Sequence, residues 1–494
     1  MGGSGASRRS LDQRGRWLAL IVLCLGDLMI VLDVTIVGVA LPSIREDLGF
    51  SETSLAWVVN AYLITFGGFL LLGGRLGDLF GHRRLFLIGI ALFTAASATC
   101  GLANGQGMLV GARAVQGLGA AVVSAVALSL MMTLFTEPAE RAQAMGVFGF
   151  VAAGGGSLGV LLGGILTDAL NWHWIFLVNV PVGVAVLVMT VALIPPSAAA
   201  AIKRRLDVAG AVTVTAALVT AVYAIVNGNA WGWTSGRTLG LLAAAAVLLA
   251  VFVSIEARVD APLVPLGLFR LRNVATANVV GVLWAAAMFA WFFLSALYLQ
   301  LVLGYSPLEV GLAFLPANLI MAVFSIGLSA KLVLRFGIAP PLAIGLLLAA
   351  AGLALFARAP VDGTFAVDVL PAMILLGLGA GMAFNPVLLA AMSDVAPEES
   401  GLASGIVNTS FMMGGALGLA VLASLAAART DHLLTDGRDA LSALNGGYHL
   451  AFLAGALFAL LAAVIGGRLI RAGAYQPAQH SQTPATDPAT ADAE

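Results

Sequence analysis

Gly74-Arg75-Leu76-Gly77-Asp78-Leu79-Phe80-Gly81-His82-Arg83-Arg84 joins two apolar runs, residues 53–74 and 85–103, and reads as a tight turn between two membrane helices. Its glycines let helix ends approach closely, and Asp78 can cap a neighbouring helix N-terminus or pair with an arginine. Arg83 and Arg84 anchor the next helix at an anionic membrane surface. A plain basic turn would fix topology with the arginines alone. It requires neither Asp78 nor the glycine spacing.

Outward from this turn, the whole chain has the composition of a membrane protein. Charged residues are 10% and hydrophobic residues 60%, where an ordinary soluble domain carries about 25% charged residues. Runs of about twenty apolar residues, enough to cross about 30 Å of hydrocarbon, recur along it. The sequence predicts fourteen spans: 17–40, 53–74, 85–103, 108–133, 142–167, 173–194, 208–227, 238–257, 274–303, 307–330, 338–358, 366–390, 401–427 and 447–467. With the N-terminus in the cytoplasm, 18 Lys and Arg fall inside and 5 outside, and Arg113 lies within a span. The positive-inside rule then puts both termini in the cytoplasm. The first run is too long for a signal-peptide core and should stay as a helix. The ends, residues 1–16 and the Pro/Thr/Ala/Gln-rich 472–494, read as tails, the second of them disordered. Cys24 and Cys100 differ by about 12 Å in depth, beyond disulfide reach, and read as small apolar fillers. The Arg- and Ala-rich, Lys-poor usage suggests a GC-rich bacterial genome.

Charges inside the spans are the chemical signal. The first span holds Asp27 and Asp33, and carboxylates at such depth are rare and mark ion or substrate paths. Ionised, such an acid attracts a cation; protonated, it no longer costs charge burial and the bundle can rearrange. Asp27 sits about 120° round the helix from Asp33, as a second titrating group or a solvated cavity acid. Arg113 enters the fourth span with Gln116 and Gly117 at i+3 and i+4 on one polar, close-packing face. It either snorkels or ties helices, or its charge tunes nearby acids. Gly155, Gly159 and Gly163 recur every fourth residue in the fifth span, a face for close helix contact. That stretch also matches a dinucleotide fingerprint and a nucleophile elbow, but both need a strand followed by a helix, so both are rejected. No P-loop and no catalytic constellation appears, so an enzyme is not expected.

The 74–84 turn resembles the signature of the major facilitator superfamily between its second and third spans. Further segments are similar to its fourteen-span drug:proton antiporters. Leu32–Pro42 resembles the first-helix motif with Gly38 where Asn is usual, and 113–120 resembles the fourth-helix motif. Residues 172–181 are similar to the sixth-helix entry with His173 for Arg, and 298–300 with 304–307 to the second half. Val160 follows Gly159 where the antiporter motif has proline, so a proline-dependent kink is not implied. Lys331-Leu332-Val333-Leu334-Arg335-Phe336-Gly337 echoes 75–81 between halves.

The resemblance implies an all-α major-facilitator fold: a six-helix bundle over 17–194, two extra helices within 195–272, and a second bundle over 273–471. It implies proton coupling through Asp33 and Arg113, to which burial in the first span adds Asp27, and conformational gating at Gly74, Asp78, Gly81, Arg83, Arg84, Gly155, Gly159 and Gly163. It points to a substrate cavity among Trp57, Asn60, Tyr62, Trp284, Trp291, Tyr298, Gln300, Asn318, Asn385, Asn408, Phe411 and Met412. Phe411-Met412-Met413 stands where many relatives carry Arg-Gln, which fits a lipophilic substrate. The expected protein is a monomeric exporter of lipophilic, cationic drugs or antibiotics in a bacterial cytoplasmic membrane. It runs on the proton motive force, with no cofactor, metal or nucleic acid. The rivals are a dedicated exporter of one endogenous metabolite or antibiotic, and a lipid flippase.

Overall fold

The structure, a computed structural model, describes residues 13–135, 137–195, 207–260, 262–324, 328–395 and 400–470. Both predicted tails lie outside these residues, apart from 13–16, and so does the side chain of Asp78.

Every regular element among the described residues is helical. Hydrocarbon offers the backbone no hydrogen-bond partners, so a long apolar run satisfies its own amides as a helix. The first group is α1 (Gln13–Leu48), α2 (Glu52–Phe80), α3 (His82–Gly101), α4 (Gln106–Leu134), α5 (Pro138–Ala169), α6 (Trp174–Leu177) and α7 (Asn179–Leu193). The pair α8 (Val208–Trp231) and α9 (Gly236–Glu256) follows. The last group is α10 (Arg272–Leu297), α11 (Pro307–Val323), α12 (Ser329–Phe336), α13 (Ala339–Phe356), α14 (Leu370–Met392), α15 (Ser400–Thr435) and α16 (Ala440–Leu469).

Among the described residues twelve helices are long and apolar enough to cross a membrane, against the fourteen expected. The two missing from that set are the predicted fifth and tenth. In α5 the described apolar stretch is Leu158–Ala169, and α11 has 17 residues. The predicted sixth span breaks at Val178 into α6 and α7. π-helical turns extend α10 through Tyr298–Val302 and lead into α14 at Phe365–Val369.

In the first group α4 packs on α2 and α3, and α1 packs on α5, α7 and α4. In the last group α10 packs on α15, α16 and α14, while α13 packs on α14 and α16. The groups meet along α2 with α15 and α5 with α11, with a smaller contact of α1 on α10. The pair α8–α9 packs on itself, and α8 reaches α2 and α15. Cys24 and Cys100 are buried free thiols.

Small residues set the close approaches. A Cβ on Gly159 would stand 2.9 Å from the Leu32 carbonyl oxygen, and one on Gly163 2.6 Å from that of Ile36. With Gly155 against Val31, the three glycines let α5 lie directly on α1. The echo between halves has a backbone counterpart. Gly81 (φ 88°) ends α2 and Gly337 (φ 79°) ends α12, each in the left-handed region that glycine enters without steric cost.

The 74–84 turn ties several elements together. The Arg75 guanidinium donates to the Pro262 carbonyl, and Arg83 to that of Val191 at 3.0 Å. Beside it, Asp207 caps α8 through the Gly210 N–H (2.7 Å), and the Glu256 carboxylate accepts the Val264 N–H (3.0 Å). Arg84 is exposed.

Candidate functional site

Asp33 is carried on α1 and is 0% exposed; Arg113, on α4, is 1% exposed. The two form an ion pair, Arg113 Nη1 with Asp33 Oδ2. The same Nη1 donates to Gln116 Oε1 at 2.7 Å, and Arg113 Nε donates to the Val58 carbonyl at 2.9 Å. The other carboxylate oxygen, Asp33 Oδ1, accepts from Gln116 Nε2 (2.7 Å) and Asn179 Nδ2 (3.2 Å). Both amides also donate to Ser97 Oγ at 3.1 Å, and that hydroxyl donates to the Phe176 carbonyl at 2.9 Å. The Tyr62 ring lies 4.4 Å from the guanidinium carbon, a cation–π contact.

Four helices thus converge on one carboxylate. A buried pair is favoured in such a place when its remaining lone pairs and protons are also engaged, and here both Asp33 oxygens and the Arg113 Nε and Nη1 groups are. The i+3 spacing of Arg113 and Gln116 places both on one face of α4. Neutralising Asp33 would loosen the donors of Arg113, Gln116 and Asn179 at once. The cluster is a buried polar joint between α1, α3, α4 and α7.

The partner of Arg113, left open by the sequence, is Asp33. Ser97 and Asn179 were not singled out from the sequence. Asn179 does fall in the quoted 172–181 segment, whereas a lone Ser97 gives no signal. Asp27 is not in the cluster. It is 5% exposed and has no hydrogen-bond partner among the described residues. Lying two turns before Val34, it shares the face of α1 that carries Val34, Gly38 and Leu41.

That face borders a cavity of about 80 Å³. Val34, Thr35, Gly38, Val39 and Leu41 of α1, Val59 of α2 and Val160 of α5 form one wall. Met288, Phe289, Phe292, Phe293 and Ala296 of α10 with Phe314 of α11 form the other. The lining carries no charged side chain. Drug-sized ligands occupy about 300–1,000 Å³, so the cavity must widen to admit one.

None of the twelve residues expected at the cavity belongs to this lining. Some stand directly behind it. Trp291 packs on Phe292 and Phe314 (ring centroids 4.4 and 6.1 Å), and Phe411 on Phe289 (6.0 Å). Gln300 Nε2 donates to the Val39 carbonyl at 2.9 Å, a hydrogen bond between the two groups of helices. Tyr298 donates instead to the Pro360 carbonyl (2.8 Å), and Asn408 to Ser404 in its own helix (3.0 Å). Asn60, Tyr62, Trp284, Trp291 and Asn318 are buried, each with a side-chain polar atom lacking a partner among the described residues. Trp57, Asn385 and Met412 are half-buried, Met412 against Gly67 of α2. Chemical type singled these residues out, but helix rotation decides which side chains reach the cavity. The wall is mostly valines and phenylalanines, which no sequence signal separates from lipid-facing ones.

The profile of the Major Facilitator Superfamily matches residues 23–419. The chain is 40% identical over 463 residues to the puromycin resistance protein pur8 of Streptomyces alboniger, covering 92% of this chain and 91% of that one. It is 37% identical to the cephamycin export protein CmcT of Amycolatopsis lactamdurans, over 90% and 91% of the two chains. It is 38% identical to the multidrug resistance protein Stp of Mycobacterium tuberculosis, over 84% and 76%. Among solved structures, a bacterial homologue of the lysosomal transporter Spinster superposes with a TM-score of 0.66 at 16% identity, over 93% and 98%. The xylose transporter XylE from E. coli gives 0.61 at 16% identity, over 92% and 96%. By sequence and by fold, this chain belongs to the Major Facilitator Superfamily.

Proposed function

We propose that this protein exports lipophilic antibiotics or drugs, cations among them, by alternating access coupled to proton entry. The enclosed Asp33–Arg113 cluster beside an uncharged cavity carries the reading. Proton exchange at Asp33 makes and breaks a joint among α1, α3, α4 and α7, while the substrate occupies the adjacent apolar space. Both Asp33 oxygens already hold protein donors, so proton and substrate act on different atoms. Their coupling runs through α1, which carries Asp33 on one face and Val34 and Gly38 on the other. Asp27, on the cavity face, supplies the attraction for cationic substrates. Full-length relatives named for puromycin, cephamycin and multidrug resistance or export support this assignment.

The same reading completes the topology as that of a fourteen-span drug:proton antiporter. α5 and α11 cross the membrane with the twelve apolar helices, and both termini lie in the cytoplasm. Residues 17–194 and 273–471 form the two moving bundles, with α8 and α9 between them. The glycine contacts of α5 on α1 and the 74–84 turn serve as gating surfaces. The Gln300–Val39 contact then closes the outward end. One proton entering across 100 mV supplies about 2.3 kcal/mol, enough for a gradient of about fiftyfold in a neutral substrate.

The test is efflux from energised cells, comparing ethidium with puromycin. Uncoupler-sensitive export of both supports a multidrug antiporter. Export of a single compound would favour the dedicated exporter, a reading that the single-antibiotic names of pur8 and CmcT also favour. Lipid movement without substrate-induced proton flux would favour a flippase.

A further inference from the structure

At the end of the molecule where α15 stops and α16 begins lies a second, open pocket of about 590 Å³. Arg429, Arg438, Ser442, Asn445 and His449 give it a polar inner wall, and Leu453 stands at its outer edge. No acidic side chain lines it. Of the nearby acids, Asp436 pairs with His432 (3.0 Å) and Asp439 accepts the Ser442 N–H (2.9 Å) as the cap of α16, while Asp362 and Asp431 stand outside the lining. Neither arginine has an ion-pair partner among the described residues.

Asn445 is 5% exposed, and its amide donates to the Ala359 carbonyl at 3.0 Å. His449 Nε2 donates to the same oxygen at 2.7 Å. Asn445 Oδ1, by contrast, is buried without a partner among the described residues. The site therefore offers two unpaired guanidinium forks and, just beneath its wall, one buried acceptor that a small turn of the Asn445 side chain would present, the complement of an anion bearing a hydroxyl donor.

Its depth identifies the source of that anion. Helix α16 has 30 residues, about 45 Å against about 30 Å of hydrocarbon, so its first turns stand at headgroup level. Beyond the pocket, Leu453, Leu457, Leu460 and Val464 are exposed on one side of α16. That strip runs into the hydrocarbon in line with an acyl chain leaving the pocket.

We propose that this pocket binds one anionic phospholipid of the phosphatidylglycerol type. Its phosphate lies between Arg429 and Arg438, its headgroup hydroxyl donates to Asn445 Oδ1, and its acyl chains follow the leucine strip. The site is separate from the cavity and does not depend on what the protein exports.

The test is native mass spectrometry of the full-length protein from detergent, with phosphatidylglycerol, phosphatidylcholine or inorganic phosphate added. The wild type should retain one phosphatidylglycerol about tenfold better than phosphatidylcholine, and R429Q/R438Q should lose that preference. Both arginines are exposed, so the variant should unfold at the wild-type temperature. The single variant R438Q should keep part of the preference. Equal retention of phosphatidylglycerol by wild type and double variant would overturn the site. Equal retention of the two lipids by the wild type would overturn its charge selection. Displacement of the lipid by millimolar inorganic phosphate would make it a free-phosphate site and overturn the proposal equally.

Discussion

Removing Arg113 should be costly, because it strands the Asp33 carboxylate in a site with no exposure. Arg113→Met should destabilise the protein by about 3–5 kcal/mol, and Asp33→Asn/Arg113→Met should recover much of that loss. Thermal unfolding in detergent reads both, and strictly additive losses would contradict the pairing. Asp27→Asn should leave folding intact and reduce efflux of a cationic dye while sparing a neutral lipophilic substrate. Equal losses for both would remove Asp27 from substrate recognition. The sequence exposes these three residues because charge within a lipid-length run is conspicuous. It hides Ser97 and Asn179, whose neutral side chains are ordinary in membrane helices and gain meaning only beside Asp33. Tyr62 is singled out by its aromatic type as a cavity residue, and the structure adds that its ring covers the Arg113 guanidinium.

For helices, length and hydropathy located most spans, since a run of about twenty apolar residues leaves the chain few alternatives. Breaks were less legible. The interruption at Val178 lies just before Pro181, which has no N–H for the Leu177 carbonyl, and the π-helical turns at Tyr298–Val302 and Phe365–Val369 precede Gly304 and Pro371, but prolines and glycines are too common in these spans to mark a break by themselves. The glycine series in α5 was legible as a close-packing face, but its partner was not. Contact distances now assign it to α1, so Gly163→Ala should push a methyl group against the Ile36 carbonyl and cost about 1–3 kcal/mol. A wild-type unfolding temperature for that variant would show that the helices separate freely. In the extra pair, Asp207→Ala removes the α8 cap and should cost about 1 kcal/mol.

Over the whole molecule, the sequence revealed the superfamily architecture but not the cavity. The cavity wall draws on α1, α2, α5, α10 and α11, so it exists only once the two groups of helices are docked. Docking also predicts a labelling pattern. A Cβ at Gly38 meets nothing within 4 Å, so Gly38→Cys in a background lacking Cys24 and Cys100 should fold and report access to the cavity. Adding Gln300→Leu removes one hydrogen bond at the closed end, worth about 1 kcal/mol, and should raise thiol labelling several-fold. Unchanged labelling would mean that another contact holds that end shut. The central claim is that Asp33 exchanges the coupled proton without touching the substrate. It is tested most directly by substrate-induced proton release from purified protein, wild type against Asp33→Asn, with substrate binding measured in parallel. The account predicts that Asp33→Asn binds substrate as the wild type does and releases no proton; undiminished proton release from that variant would contradict it.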